Sequence, residues 1–548
     1  MKFYSLVVLF IFLFSCQPKE ERIASKKPLL VVGIVIDQMR PDYLSRYASR
    51  FGEGGFNRLL MEGYYNKNTH YNYVPTYTGP GHASIYTGTT PAIHGIIAND
   101  WYDKALERTV YCAEDTTVRS IGTTSDNGGM SPHRMLSTTI TDELRLASNF
   151  KSKVIGLSIK DRGSILPAGH TPTAAYWFDD ESGHFITSSY YTEALPQWVN
   201  EFNGRGLIEE YSDSVWNLSL KHDDYGASTR DSMSYERRLD KSRAATFPYD
   251  MKVLRSQNDN FQFIKKTPFG NSLLTEMAMT TINEEQLGQN EHTDFLALSY
   301  SSSDYVGHDA GPRSIEVEDM YIKLDLEIER FLKFLDQSVG KDNYLIFVTA
   351  DHAAAEVPQY LIEHNIPAGY YARKAPSRVV DSVLDRQYGG GDWVSYFYNE
   401  QLSLNHDLIA EKGLNLKEVI DFCIPHLLKI EGAAEVYSAL DMRKYDYPSG
   451  MKMRLQNGYN FKRSGDLLMV FEPAWFKETS EAAKHGSGYK YDTHVPLIWF
   501  GKNISTGESY RPQSITDIAP TLSFILDTQL PNGATGEPIE AVLENYMN

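Results

Sequence analysis

The chain has 548 residues, of which 42% are hydrophobic and 23% are charged, an ordinary composition for a large globular protein. Its 71 acidic residues outnumber its 53 Lys and Arg residues, and the formal net charge is −18. Proteins that bind nucleic acid need a basic surface, so this balance argues against a nucleic-acid partner, while it leaves room for a local cationic pocket that binds a small anion.

The N-terminal residues have the pattern of an export signal. The apolar run Leu6–Phe14 is too short to span a bilayer comfortably and is typical of a signal-peptide core. It leads into a Leu-Phe-Ser-Cys sequence that resembles a bacterial lipobox ending at Cys16. We predict that residues 1–16 are a signal peptide of the lipoprotein type, with an ordinary cleaved signal as the alternative. Residues 17–27 would then form a polar tether, and the protein would be periplasmic or anchored to the outer membrane.

Apolar runs rich in Val, Ile and Leu predict the strands of a parallel sheet that is buried on both faces. In chain order these runs are Leu29–Ile36, Val154–Ile159, Phe295–Tyr300, Tyr344–Thr349 and Val495–Phe500. Apolar residues recur every three or four positions between Val317 and Leu335, which predicts an amphipathic helix connecting two strands. A further helix is expected from about Thr516 to Leu526, with Thr516 as its N-cap. This alternation indicates an α/β protein.

Two regions interrupt the alternation, at about residues 180–290 and 355–480. Both are rich in Tyr, Gly and polar residues, and we expect them to be insertions that cover the site, within one catalytic domain over residues 28–548.

Cys112 and Cys423 are the cysteines of this domain. Export permits a disulfide between them, and two free buried thiols are equally compatible with the sequence.

Chemically reactive side chains follow the predicted strands at their carboxyl ends, the edge at which open α/β sheets bind ligands. They are Asp37, Asp304 with His308, Asp351 with His352, and Lys160 with Arg162. Thr78 lies at a Gly/Pro-rich turn before a predicted helix. A capping hydroxyl is the ordinary role of such a threonine, and a nucleophile at a helix start that attracts phosphate is the functional one.

The Asp and His residues form two sets with the composition of metal sites. Asp37, Asp351 and His352 can form one site with Thr78, and Asp304, His308 and His485 can form a second. Mixed carboxylate and imidazole ligands favour zinc. Two metals about 4 Å apart would bind the attacking and leaving oxygens of an in-line displacement at phosphorus, with a covalent phosphothreonine as the intermediate. His494 competes with His485 as the sixth protein ligand.

Lys160 and Arg162 are predicted to bind the phosphoryl group. Residues i and i+2 of an extended segment point to one side, so both cations could meet the non-bridging oxygens. Asn99 is a further candidate donor to these oxygens. Because a phosphate monoester has two charged free oxygens and a diester has one, this pair favours monoesters.

These segments resemble the alkaline phosphatase superfamily, in its phosphodiesterase/nucleotide pyrophosphatase-like branch. The likeness covers essentially the whole mature chain, and within the branch it is strongest to the monomeric, phosphate-irrepressible alkaline phosphatases of flavobacteria. The matching blocks are Thr78–Asn99, Asp304–His308, Thr349–His352, His485–Tyr489 and Thr516–Thr521.

The resemblance implies a three-layer α/β/α sandwich, a monomer, two zinc ions per chain, and small phosphate monoesters as substrates. It implies a Thr78 nucleophile, with Asn99, Lys160 and Arg162 as phosphate ligands, and it favours His485 over His494 because the family's ligand precedes a Gly-Ser-Gly-Tyr turn. A nucleotide phosphodiesterase is the alternative. A non-catalytic, ligand-binding surface lipoprotein is a weaker one, because it would not need all these ligands. A sulfatase is disfavoured, because sulfatases need a Cys or Ser at the position of Thr78.

Overall fold

The computed structural model describes residues 27–479 and 481–547. The predicted signal peptide, Cys16 and all but the last residue of the predicted tether lie outside the described residues. Within those ranges, none of the helices combines the length and the apolar composition needed to cross a bilayer.

An eleven-stranded sheet forms the centre of the part of the chain that the structure describes. Its strands in chain order are β1 (Leu30–Ile36), β2 (Tyr64–His70), β3 (Ser120–Ile121), β4 (Val154–Ser158), β5 (Ala174–Asp179), β6 (His184–Ser188), β7 (Asp294–Tyr300), β8 (Tyr344–Thr349), β9 (His494–Gly501), β10 (Gly507–Ser509) and β11 (Gln513–Ser514). The spatial order is β10-β2-β9-β8-β1-β7-β4-β5-β6-β3, with β11 also paired to β2.

The five neighbouring strands β8, β1, β7, β4 and β5 are all mutually parallel, and β9 runs antiparallel to β8. Strands β1, β7 and β8 are buried along their whole length, as their continuous apolar composition predicts. The register pairs Ile36 with Tyr300 and Val35 with Thr349. The residues that follow these three strands therefore meet at one edge of the sheet.

Helices pack against this sheet and also lie in the regions outside it. Their bounds are Asp42–Arg46, Phe56–Glu62, Thr78–Thr87, Pro91–His94, Ile140–Ala147, Asp161–Ala168, Gln197–Asn203, Leu207–Ser212, Met251–Ser256, Gln262–Lys265, Pro268–Glu284, Ser302–Ala310, Ile315–Leu335, Pro358–Glu363, Ala375–Tyr388, His406–Glu411, Leu416–Leu427, Gly450–Gly458, Lys490–Thr493, Ile518–Leu526 and Glu540–Met547. The α/β architecture with a mainly parallel sheet, and the helix predicted between Val317 and Leu335, are confirmed.

The two regions predicted as insertions differ from each other. The first, about 180–290, includes strand β6 of the central sheet and the long helix Pro268–Glu284. The second, about 355–480, has its own four-stranded sheet and hydrophobic cluster. The strands of that sheet are Val394–Tyr398, Gln401–Leu404, Ala433–Ser438 and Leu467–Phe471. We call residues 355–480 the second module.

Short two-stranded pairs complete the described structure. They are Asp100–Asp103 with Arg108–Tyr111, Val215–Trp216 with Tyr249–Asp250, and Gly369–Tyr371 with Trp475–Lys477.

Two local predictions were resolved by the structure. Thr516 is not the N-cap of the helix Ile518–Leu526. Ser514 and Asp517 form a capping box around a 3-10 turn at Ile515–Asp517, and the α-helix begins after that turn. Cys112 and Cys423 are both free and buried, in separate hydrophobic clusters.

Candidate active site

The carboxyl ends of β1, β7 and β8 bring three aspartates together. Asp37 directly follows β1, Asp351 lies two residues after β8, and Asp304 lies in the first turn of the helix Ser302–Ala310 that follows β7. Potential ligand atoms of Asp37, Asp351 and His352 all lie within 4.8 Å of one another, and so do those of Asp304, His352 and His485. The parallel topology thus assembles, from distant parts of the chain, two adjacent sets of side chains that could hold a metal ion.

The three predicted imidazole ligands are oriented by backbone carbonyls. The Nδ1 atom lies 2.8 Å from the Ala483 oxygen in His308, 3.0 Å from the Ala353 oxygen in His352, and 2.8 Å from the Thr76 oxygen in His485. A carbonyl only accepts hydrogen bonds, so Nδ1 carries a proton in each ring, and the neutral rings of His352 and His485 keep a lone pair on Nε2, whereas His308 Nε2 lies 3.2 Å from Asp304 Oδ1. This arrangement is typical of metal-ligating histidines.

Histidines with a structural role in this region lack that free nitrogen. His82 contacts the Thr78 carbonyl through Nδ1 and the Ser299 hydroxyl through Nε2, both at 2.8 Å. His94 uses both nitrogens as well, with Ser84 and the Ile96 amide. The rival ligand His494 contacts the Lys67 carbonyl and stacks on another histidine ring, and neither metal-binding set includes it.

Several buried polar atoms at the site have no hydrogen-bond partner among the described residues. They are Asp37 Oδ1, Asp351 Oδ2 and His352 Nε2, and all three belong to one ligand set. An unpaired buried carboxylate is costly. Burial, with repulsion from neighbouring carboxylates, raises the pKa of Asp37 to about 7, and burial raises the pKa of Asp351 to about 6. A bound divalent cation would satisfy these atoms, so the residues present fit a metal.

The second ligand set is arranged differently from the prediction. His352 is shared between the sets, and its ring stacks on His485 at 3.5 Å between centroids. His308 is the outer member, with Nε2 3.2 Å from Asp304 Oδ1 and its ring centroid 5.1 Å from that of His485. All six predicted Asp and His ligands are nevertheless gathered at one location.

Thr78 is the first residue of the helix Thr78–Thr87, and it is 1% exposed. Its hydroxyl forms no hydrogen bond with the described residues, and the N-cap position is occupied by Tyr77, so Thr78 does not act as a capping side chain. The helix start lies against the metal ligands, because a Cβ on Gly81 would lie only 2.3 Å from the Asp351 carbonyl oxygen. The adjacent Gly79 amide donates a hydrogen bond to Asn99 Oδ1 at 2.7 Å.

Lys160 lies between Asp37 of the first ligand set and Asp304 of the second. Its Nζ atom is 2.6 Å from both Asp37 Oδ2 and Asp304 Oδ2. Burial opposes the charge on this lysine, but the attraction of Asp304 and Asp37 outweighs it and raises the lysine pKa. The extended segment predicted through Lys160 and Arg162 ends at Lys160, which occupies the N-cap position with extended backbone and no side-chain cap bond, whereas Arg162 lies in the first turn of the helix Asp161–Ala168.

Arg162 is held by a tyrosine that sequence reasoning did not identify. Tyr111 Oη accepts a hydrogen bond from Arg162 Nη1 at 3.1 Å and donates one to Asp161 Oδ1 at 2.5 Å. Arg162 Nε is buried without a partner among the described residues.

Gln38 is a second site residue that the sequence analysis did not identify, although it directly follows Asp37. Its amide nitrogen Nε2 donates to Asp304 Oδ1 at 2.6 Å, and its backbone N–H donates to Asp351 Oδ1 at 3.2 Å.

A cleft of about 210 Å³ opens beside these residues. Asn99, His308 and His485 line it, and much of the remaining wall comes from the second module, whereas no residue of the region 180–290 contributes to it. A small organic molecule could therefore enter beside the metal-binding residues.

Residues 31–495 match the protein family described as type I phosphodiesterase / nucleotide pyrophosphatase. The chain belongs to this phosphodiesterase/pyrophosphatase family. Within it, the alkaline phosphatase PafA of Elizabethkingia meningoseptica is 44% identical over 95% of each chain, and the alkaline phosphatase PhoV of Synechococcus elongatus is 41% identical over 98% of each. A third relative, from Myroides odoratus, is named a calcium-transporting ATPase and is 43% identical over 95% of each chain.

Solved structures of family members agree with this placement. The crystal structure of wild-type alkaline phosphatase PafA has a TM-score of 0.91 and 44% identity, and the match covers 94% of this chain and 99% of that one. A second PafA structure, with the same TM-score, is a variant in which one threonine, one asparagine, one lysine and one arginine are substituted. The alkaline-phosphatase-like fold expected from the sequence is thus confirmed.

Proposed function

We propose that this protein is an exported, zinc-dependent alkaline phosphatase that hydrolyses phosphate monoesters, with Thr78 as nucleophile and a covalent phosphothreonine intermediate. One observation carries the proposal: three buried aspartates, with the imidazoles of His352 and His485, form two adjacent sets of potential metal ligands, and the helix that begins at Thr78 packs against Asp351. The names of PafA and PhoV support phosphatase activity. Export and a lipid anchor at Cys16 rest on residues 1–16 alone.

The substituted residues of the PafA variant support the assignment of the reacting groups. Its threonine–asparagine and lysine–arginine intervals equal those between Thr78 and Asn99 and between Lys160 and Arg162 in this chain. We therefore assign Thr78 as the nucleophile and the other three side chains as ligands of the phosphoryl group.

Two zinc ions are proposed to bind at the sheet edge. Asp37, Asp351 and His352, with the Thr78 hydroxyl, would hold one ion, and Asp304, His308 and His485 would hold the other. Zinc bound there supplies a Lewis acid that stabilises negative charge on the oxygens of the reacting phosphoryl group.

The chain's own residues then account for the two displacements. Thr78 Oγ1 attacks phosphorus, the bond from phosphorus to the leaving oxygen breaks, and the phosphoryl group remains on the threonine. Water then attacks phosphorus and releases inorganic phosphate, which regenerates the hydroxyl. Arg162, with unpartnered donors, and Asn99 would stabilise the transferring group, and Lys160 would add a charge beside Asp37 and Asp304.

The experiment compares kcat/KM for 4-nitrophenyl phosphate with that for bis(4-nitrophenyl) phosphate, with and without added zinc. We expect a strong preference for the monoester at alkaline pH, because Lys160 and Arg162 add two positive charges to those of the metals and a monoester has a dianionic phosphoryl group. Lys160→Ala/Arg162→Ala should reduce the preference at least tenfold, whereas the exposed Lys252→Ala control should leave it unchanged. Faster hydrolysis of the diester by the wild type would favour a phosphodiesterase and reject the proposal.

A further inference from the structure

The cleft wall contributed by the second module carries a cation that the proposed chemistry does not use. Lys477 lines the cleft together with Asn99 and His485. Its side chain is half-buried, and its Nζ atom lies 4.9 Å from the centre of the Tyr398 ring. In the described part of the chain, Lys477 Nζ forms no hydrogen bond or ion pair. A half-buried ammonium group without a carboxylate contact is available to bind an anion.

Strand pairing places a second cation near Lys477. The strands Gly369–Tyr371 and Trp475–Lys477 are parallel, with Tyr371 opposite Lys477, so their carboxyl ends lie side by side. Arg373 follows its strand by two residues, is exposed, and has no ion pair with the residues that the structure describes.

Charged groups of both signs lie near Lys477, including Glu400 and Glu472 of the cleft wall, but none forms an ion pair with it in the described part of the chain. Lys484 also lines the cleft, but it pairs with Glu481. Glu400 accepts a hydrogen bond from Tyr371 Oη at 2.9 Å and does not contact Lys477 within ion-pair distance. Burial lowers the pKa of Lys477, and Lys484 and Arg373 lower it further against the attraction of Glu400 and Glu481. Lys477 and Lys484 thus line the cleft of a chain whose net charge is −18, and Arg373 follows the strand that pairs with the strand of Lys477.

We propose that Lys477, assisted by Arg373, forms a second oxyanion-binding subsite in the cleft, and that the preferred substrates are phosphate monoesters whose leaving group carries another phosphate or a carboxylate. This inference rests on the proposed function, since it assigns the far end of the same substrate. The subsite would bind the leaving group and take no part in breaking the ester bond.

The test uses three substrates of matched chain length: an α,ω-alkanediol bisphosphate, an ω-carboxyalkyl phosphate and an ω-hydroxyalkyl phosphate, each with two to six carbons. The readout is the ratio of kcat/KM for each charged substrate to kcat/KM for the hydroxyl analogue. We expect the wild type to prefer at least one charged substrate, at an optimal chain length. Lys477→Gln should reduce this ratio about tenfold, the size of a charge-assisted contact.

Lys477→Arg should keep most of the preference, because it retains the charge, and the exposed Lys417→Gln variant should keep all of it. Thermal unfolding of each variant checks that the fold is intact. A ratio near one in the wild type, or an equal ratio in the wild type and Lys477→Gln, would overturn the subsite while leaving the proposed function standing. Failure of the wild type to hydrolyse the hydroxyl analogue and 4-nitrophenyl phosphate would refute both.

Discussion

At the scale of single residues, the site depends on which nitrogen of each imidazole is free. His352 and His485 each direct Nδ1 at a backbone carbonyl and leave Nε2 without a hydrogen bond to the described residues, whereas both nitrogens of His82 are occupied. Burial lowers the pKa of His485, and the neighbouring rings of His352 and His308 lower it further. The distinction between ligand and structural histidines is therefore a matter of hydrogen bonding.

Tyr111 is predicted to be a positioning residue for Arg162. Tyr111→Phe removes the acceptor at 3.1 Å and frees the guanidinium to rotate, so kcat/KM for a monoester should fall about tenfold. Hydrolysis of a diester, with one charged oxygen fewer, should fall much less. Steady-state kinetics on both substrates measure the ratio.

Tyr102→Phe is the matched control, because Tyr102 lies on the same hairpin and stacks on Tyr396 at 5.5 Å. An equal loss of monoester and diester hydrolysis in Tyr111→Phe would indicate a purely structural role for the Tyr111 hydroxyl. No loss of monoester hydrolysis would show that Tyr111 does not position Arg162 for the reaction.

At the scale of elements, the sequence predicted where the strands end, but it did not predict the conformation of the residues that follow them. The apolar runs located Asp37, Asp304 and Asp351 at one sheet edge, because parallel strands share that edge. The segment at Lys160 and Arg162 was read as extended, but it turns at once into the helix Asp161–Ala168, a change that local sequence does not show. Tyr111 had no recognisable signal, because its importance comes from a contact 51 residues away.

The segment around Glu236 provides a prediction about pH and stability. Glu236 is buried near Glu316, and burial with that repulsion raises the pKa of Glu236 to about 9. The Glu316 oxygen Oε1 accepts from Tyr249 at 2.6 Å, while Oε2 has no partner among the described residues. Between the ordinary glutamate pKa and about 9 the folded state holds a proton that the unfolded state releases, so the free energy of unfolding should fall as pH rises through that window.

Glu236→Gln should therefore raise the melting temperature relative to the wild type near pH 9, with the gain disappearing near pH 4. Thermal unfolding across pH 4 to 9 measures this, and the exposed Glu209→Gln variant should show no such trend. A gain that is independent of pH would contradict the assignment of the shift to Glu236.

At the scale of the whole molecule, the catalytic edge comes from the central sheet and much of the cleft wall comes from the second module. In the sequence, this module corresponds to a region whose polar, Gly- and Tyr-rich residues break the βα alternation. Its contribution of Tyr398 and Lys477 to the cleft could not be predicted, since it depends on how two separately packed units meet.

Metal removal should affect activity and stability together. Dialysis against a chelator should abolish hydrolysis and lower the melting temperature, because Asp37 Oδ1 and Asp351 Oδ2 would remain buried without a partner. Titration with zinc should restore activity, with a break at two equivalents per chain. Full activity in metal-free protein would contradict the proposed metal centre. A break at one equivalent of zinc per chain would show that a single ion restores activity and would contradict the proposed second ion.

The most direct measurement is to quench the enzyme in acid during turnover of a monoester and to locate the bound phosphate by peptide mass spectrometry. We expect phosphothreonine at position 78, no phosphopeptide and at least a thousandfold lower kcat in Thr78→Ala, and phosphoserine with retained activity in Thr78→Ser. Phosphate trapped on another residue, or turnover by Thr78→Ala close to that of the wild type, would contradict the account.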